Sequence, residues 1–179
     1  YTMTRFQHIQ NPIEGCVGLP KTYGVMGLTL DGQNYFRNNL NFISQTSGIS
    51  VNDIITNPQK NILAFAAAYH HELTLLSPFQ YESINIAYLL ANLSELPNNG
   101  LMQDFALNAH LYSVLSFLND EKMQQAYNFP HYNLDLEAVF GKENLKVLQS
   151  TNVIIDNNHV EGDNGSAYKT STINSKSAD

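Results

Sequence analysis

Basic residues are scarce in this chain. Nine Lys and Arg stand against sixteen Asp and Glu, a formal net charge of −7. A nucleic-acid partner needs a concentration of Lys and Arg for its phosphates, so none is expected. Cysteine occurs once, at Cys16, which excludes a disulfide within the chain and leaves the redox compartment open. No stretch approaches the roughly 20 uninterrupted apolar residues of a membrane span. The chain opens at Tyr1 with no basic segment leading into an apolar one. The expectation is a mature or trimmed chain whose signal peptide has been removed.

What is present suits a globular protein. The chain has 179 residues, 43% of them hydrophobic and 11% aromatic, enough for one domain with a proper core. Residues 1 to 38 are punctuated by Gly15, Gly18, Pro20, Gly24, Gly27 and Gly32. They read as a helix end followed by a long irregular loop, and such loops tend to be functional. Leu40 and Ile43 suggest a short helix ended near Gly48. Ser50-Val51-Asn52-Asp53 resembles a capping box before one further turn of helix. Asn57-Pro58 opens the strongest helix, since Asn caps and Pro is tolerated at the first helical position. Its broad apolar face (Ile62, Leu63, Phe65, Ala66, Tyr69, Leu73, Leu76) predicts a central, mostly buried helix stopped by Pro78, and Ala66 to Ala68 would admit a close helical neighbour.

Two more apolar helices are expected over 82–96 and 101–118, with a short turn over 120–127. The last fifty residues differ in character. Leu134-Asp135-Leu136-Glu137 alternates as a strand does, residues 143–150 suit a short helix, and Val153-Ile154-Ile155 suits a short strand. Beyond Val160 the polar and small residues have almost nothing to bury and read as a disordered linker to a further domain.

Most chemical signals have a plain structural alternative. Tyr23-Gly24-Val25-Met26-Gly27-Leu28-Thr29 is either a surface loop with two turn glycines or a ligand-facing turn. In the second reading glycine lets backbone approach a sugar, and Met26 offers a polarizable surface. Tyr69-His70-His71-Glu72 is not a metal motif, because adjacent helical histidines point about 100° apart rather than along one face. His8, His110, His131 and His159 show no ligand spacing, so neither metal nor cofactor is expected. Tyr69 and Glu72 share a face and either border a cleft or divide into core and solvent. Asp31, Asp53 and Glu82 suit caps or solvated positions. Cys16 has no His-Asn or His-Asp company, which makes a thiol nucleophile improbable. Phe79 and Tyr81 could stack on sugars or pin a loop beside Pro78.

Together, Tyr1-Thr2-Met3-Thr4-Arg5-Phe6 and Tyr23 to Thr29 resemble two landmarks of lysozyme-like, peptidoglycan-cleaving proteins. These are the helix end Glu-Ser/Thr-Arg-Trp that carries the catalytic acid, and the Tyr-Gly-x-Met-x-Leu turn lining the glycan cleft. The order of the Asn57-Pro58 helix, the Ala87-Tyr88-Leu89 helix, the Phe105 to Leu118 helix and the segment from Leu134 to Ile155 is similar to the lysozyme-like domain preceding certain bacterial N-acetylmuramoyl-L-alanine amidases. In that family a zinc-dependent amidase domain follows, where this sequence reaches Ser177-Ala178-Asp179.

The resemblance implies a mainly α, lysozyme-like helical domain over 1–130, a short irregular or β-containing C-terminal extension over 131–160, and a linker over 161–179 to a downstream zinc amidase domain. It implies peptidoglycan strands as partner, a secreted or cell-envelope location, and Arg5, Tyr23, Gly24, Met26, Tyr69 and Tyr88 as glycan-binding residues. Met3 falls where the acid belongs, and a thioether cannot donate the proton that glycoside cleavage requires. Gly27 stands where transglycosylases usually carry Gln. The expectation is therefore a peptidoglycan-recognising domain that has lost its own catalysis. The competing readings are an active glycosidase or lytic transglycosylase, with Glu14 as substitute acid, and a non-catalytic helical interaction module.

Overall fold

The computed structural model describes residues 4, 7–12, 21–31, 37–76, 82–156 and 158–171. Met3, Arg5, Phe6, Glu14, Cys16, Pro78, Phe79 and Tyr81 lie outside the described residues. Among the described residues, eight helices and four short strands fall into two compact units, residues 1–78 with 93–95, and residues 79–92 with 96–179. The chain is thus mainly α with short antiparallel strands, as its apolar periodicities predict.

The first unit begins with a hairpin of two-residue strands, β1 (Thr22–Tyr23) and β2 (Leu28–Thr29), joined through the turn over 24–27. Three helices follow, and local caps set most of their boundaries. Helix α1 (Asn39–Ser47) ends at Gly48, which adopts φ 70° and donates its N–H to Ser44 O, the left-handed stop glycine favours. Helix α2 (Val51–Thr56) starts at Ser50, whose side chain accepts from Asp53 N. Helix α3 (Pro58–Leu75) starts at Asn57, whose side chain accepts from Gln59 N and Lys60 N, with Pro58 inside the first turn. The expectations at Gly48, Ser50 and Asn57-Pro58 therefore hold.

The expected burial of α3 does not. Its fully buried positions are Asn61, Ala64 and Ala68, spaced three and four apart, while Ile62 is 48% and Leu63 60% exposed. Only a narrow stripe of small side chains faces inward, and α1 and α2 pack on this helix. Among the described residues, the buried apolar residues of the unit are Leu28, Leu40, Ile43, Ile54, Ala64, Ala68 and Leu93. Asp31, expected to be solvated or capping, is buried.

In the second unit lie α4 (Ser83–Ser94, its last two residues counted with the first unit), α5 (Leu101–Asn119), α6 (Glu121–Tyr127), α7 (Leu136–Phe140) and α8 (Lys142–Leu148). Ile86, Ala87, Ala91, Leu107, Leu111, Leu115, Leu134, Val139 and Phe140 form its main core. The alternation at Leu134 to Glu137 is therefore no strand. Leu134 is a buried anchor, and Asp135 caps α7 by accepting from Ala138 N.

Strands β3 (Val153–Asp156) and β4 (His159–Gly162) pair antiparallel, with Ile155 opposite Val160. The chain then turns back on β4, as Tyr168 N donates to Val160 O at 2.8 Å and Glu161 bridges Ala167. Composition alone marks this stretch as linker, yet Tyr168 is 4% exposed and packs with Val147 and Val160. The reason is polar. Asp104, buried on α5, accepts from the Tyr168 hydroxyl at 2.8 Å and from Ser171 N and Oγ at 2.9 Å each. One tyrosine and one carboxylate hold in place a segment with few other apolar residues.

Candidate functional site

The first unit contains the turn that the sequence singled out. Gly24 and Gly27 both take positive φ, 71° and 63°, a region that costs an ordinary L-residue about 1 kcal/mol or more. Gly24 carries a second constraint, since a Cβ there would collide with the Asn61 carboxamide. That carboxamide holds the turn from beneath. Asn61 Oδ1 accepts from Met26 N at 2.9 Å, and Asn61 Nδ2 donates to Ile54 O at 3.1 Å. Asn61 is fully buried, and its amide links turn, α2 and α3 directly; a buried amide of this kind is stabilising because its partners are present. From the other side, Thr4 Oγ1 donates to Val25 O at 2.6 Å and Gly24 N donates to Ile9 O at 2.7 Å.

The far end of the hairpin has a similar clamp. Asn39 Oδ1 accepts from Thr29 N at 2.7 Å, and Asn39 Nδ2 donates to Leu93 O at 3.3 Å. Asn39 is 4% exposed. Two buried asparagines therefore fix the turn and its exit strand. What the hairpin offers outward is Tyr23, half-buried, and Met26, 38% exposed.

Next to the Asn39 clamp is a charged pair that sequence reasoning missed. Glu95 has φ 49°, one of two non-glycine residues at positive φ among those described. Its Oε2 accepts from Asn38 N at 2.9 Å. Burial pushes the Glu95 carboxyl above the ordinary carboxylate range, against the Asn38 N–H and the nearby Arg37, which both favour the ionised form. The Arg37 guanidinium is pulled down by the same loss of water, with Glu95 opposing. Arg37 Nη1 reaches Ser94 O at 3.5 Å, at the limit of a hydrogen bond. Arg37 and Glu95 form no ion pair within 4.0 Å among the described residues.

Of the expected glycan-binding residues, Tyr23, Gly24 and Met26 come together in the hairpin. Tyr69 is half-buried on α3, eight residues and about 12 Å beyond Asn61 along the helix axis. Tyr88, half-buried on α4, belongs to the second unit. Met3, Arg5 and Glu14 are outside the described residues. His70 and His71 are exposed, and no three His, Cys, Asp or Glu among the described residues are grouped to hold a metal ion. His131 Nδ1 lies 2.6 Å from Gln124 Oε1, and His159 Nε2 lies 2.8 Å from Glu161 Oε2; both have ordinary local partners. No described helix is long and apolar enough to cross a membrane.

Two signals for the missed residues were present in the sequence. Asn61 is a polar residue in phase with Ala64 and Ala68 on the inward stripe of α3. Glu95 follows the last turn of α4, where glycine or asparagine is usual. The fold and site define a mainly helical protein whose first unit presents a rigid, amide-locked turn. No family model, curated protein or solved structure matches the chain.

Proposed function

We propose that the first unit is a peptidoglycan-recognising module, lysozyme-like in its site, that grips glycan strands without cleaving them. The observation that carries this reading is the 24–27 turn, held by Asn61 from below and presenting Met26 and Tyr23 to solvent. Carbohydrate recognition favours a preorganised backbone with an apolar or aromatic face, because little ordering remains to be done on binding. Thr4-Arg5-Phe6 and Tyr23 to Thr29 supply the likeness to lysozyme-like proteins, and the Thr4 to Val25 hydrogen bond joins the two segments. In this reading the chain works at the cell envelope or outside the cell, beside a zinc amidase domain that cuts the peptide.

Co-sedimentation with purified insoluble peptidoglycan tests it, run with a clearing assay and with Met26→Ala and Met3→Glu. Sedimentation without clearing, weakened roughly tenfold by Met26→Ala, is the expected result. Clearing gained by Met3→Glu would add that Met3 occupies the position of the lost acid. Absence of sedimentation would remove the glycan reading and leave a helical interaction module. Glu95 favours a second reading, since a half-buried carboxyl kept above its ordinary range is what a general acid needs. Clearing by the parent chain that disappears in Glu95→Gln would establish cleavage instead.

A further inference from the structure

Arg37 carries five N–H donors in a planar fork, and one long bond to Ser94 O is a poor return for a half-buried guanidinium. A structural arginine in such a place ordinarily fills its fork with carbonyls or a carboxylate. The nearest candidate, Glu95, is turned to the backbone N–H of Asn38 instead. Its backbone sits in the left-handed region to do so, where glycine would be unstrained and the side chain would be lost. Among the described residues, Arg37 is thus left with one long hydrogen bond, to Ser94 O, while the neighbouring Glu95 carboxyl is engaged by the Asn38 N–H.

We propose that Arg37 and Glu95 form a binding site for a carboxylate, the fork of Arg37 taking both ligand oxygens and Glu95 standing beside them. The inference rests on the peptidoglycan reading for the identity of the ligand. The chemistry named is a free carboxylate of the wall, that of a muramic lactyl group whose stem peptide has been removed, or of the free end of a wall peptide. A planar fork suits two coplanar oxygens. Two carboxylates beside one guanidinium repel each other, so ligand binding draws a proton from solvent onto Glu95, and binding weakens as pH rises. The charge of Arg37 acts on Glu95 and favours its ionised form.

N-acetylmuramic acid and N-acetylglucosamine differ by the lactyl group alone, which makes them the probes. Each is titrated into the full chain at pH 6 and pH 8 while the Arg37 Nε–Hε resonance is followed by NMR. N-acetylmuramic acid is expected to shift it saturably, more tightly at pH 6, and N-acetylglucosamine to leave it unmoved. Arg37→Gln, and Arg37→Lys with its charge but no fork, are expected to lose at least tenfold in affinity. Glu95→Gln, which keeps an acceptor for Asn38 N–H, is expected to bind with no difference between the two pH values. The Asn38 amide resonance reports whether each variant has kept the local fold.

Equal shifts from both sugars, unchanged binding in Arg37→Gln, or inorganic phosphate binding as tightly as N-acetylmuramic acid would overturn the proposal. A chain that sediments with walls while Arg37 stays unmoved by N-acetylmuramic acid and by an Ala-Ala dipeptide refutes this site and spares the glycan reading. Saturable shifts without wall sedimentation do the reverse.

Discussion

The two units solve the same problem with opposite electrostatics. In the first, a loop is fastened by neutral carboxamides, Asn61 beneath the turn and Asn39 beneath its exit. In the second, a polar tail is fastened by a buried carboxylate, Asp104, which receives Tyr168 and Ser171. An amide both donates and accepts, so one side chain bridges two elements without carrying charge into the core. A carboxylate only accepts, but its hydrogen bonds are stronger, and they hold a segment with little apolar surface of its own. The neutral clamp has no titrating group, whereas the second includes the Tyr168 hydroxyl, which burial raises above its ordinary range.

The sharpest way to break the first clamp is Gly24→Ala. The new methyl would strike Asn61 and stand at φ 71°, and we expect about 3–4 kcal/mol of destabilisation in urea unfolding. An effect under about 1 kcal/mol would show that the turn relaxes away from α3. Asp104→Ala should follow at about 3 kcal/mol, because it strands the Tyr168 hydroxyl and Ser171 N–H. Hydrogen exchange should locate the loss in residues 158–171, and uniform loss across α5 would show that Asp104 supports the helix itself.

The smallest effect is Tyr168→Phe, about 1–1.5 kcal/mol near neutrality, with a distinctive pH profile. Burial first, and Asp104 second, raise the Tyr168 hydroxyl above its ordinary value. A group whose folded pKa is raised contributes stability below its unfolded pKa and loses it as pH rises beyond that point. The parent chain should therefore lose stability above about pH 10, and Tyr168→Phe should flatten that slope. An unchanged slope would mean that another group governs the alkaline limb.

Much of the helical skeleton is legible in the sequence because caps act within four residues. Ser50, Asn57-Pro58 and Gly48 each announce a boundary through atoms nearby in the chain. The β1–β2 hairpin is not legible, since two-residue strands have no period to detect. Nor is the order at Tyr168, which depends on Asp104, 64 residues earlier. The burial of α3 misleads for a related reason: Ile62 and Leu63 look like core, while the true inward stripe is Asn61, Ala64 and Ala68. In the candidate site, the turn is visible as a motif, but its supports Asn61 and Asn39, and the pair Arg37 and Glu95, are joined only through space.

The Asn61 clamp also sets an order of events. Met26 receives its amide partner from a residue 35 positions further on, so during synthesis the turn emerges first and is left unlatched. It cannot lock until α2 and the first turns of α3 have cleared the ribosome, at ~5–20 residues per second. For those seconds the turn lacks the partner that fixes its conformation. The turn is therefore shaped by the chain that follows it, and a nascent fragment ending before Asn61 would carry its sequence without its conformation.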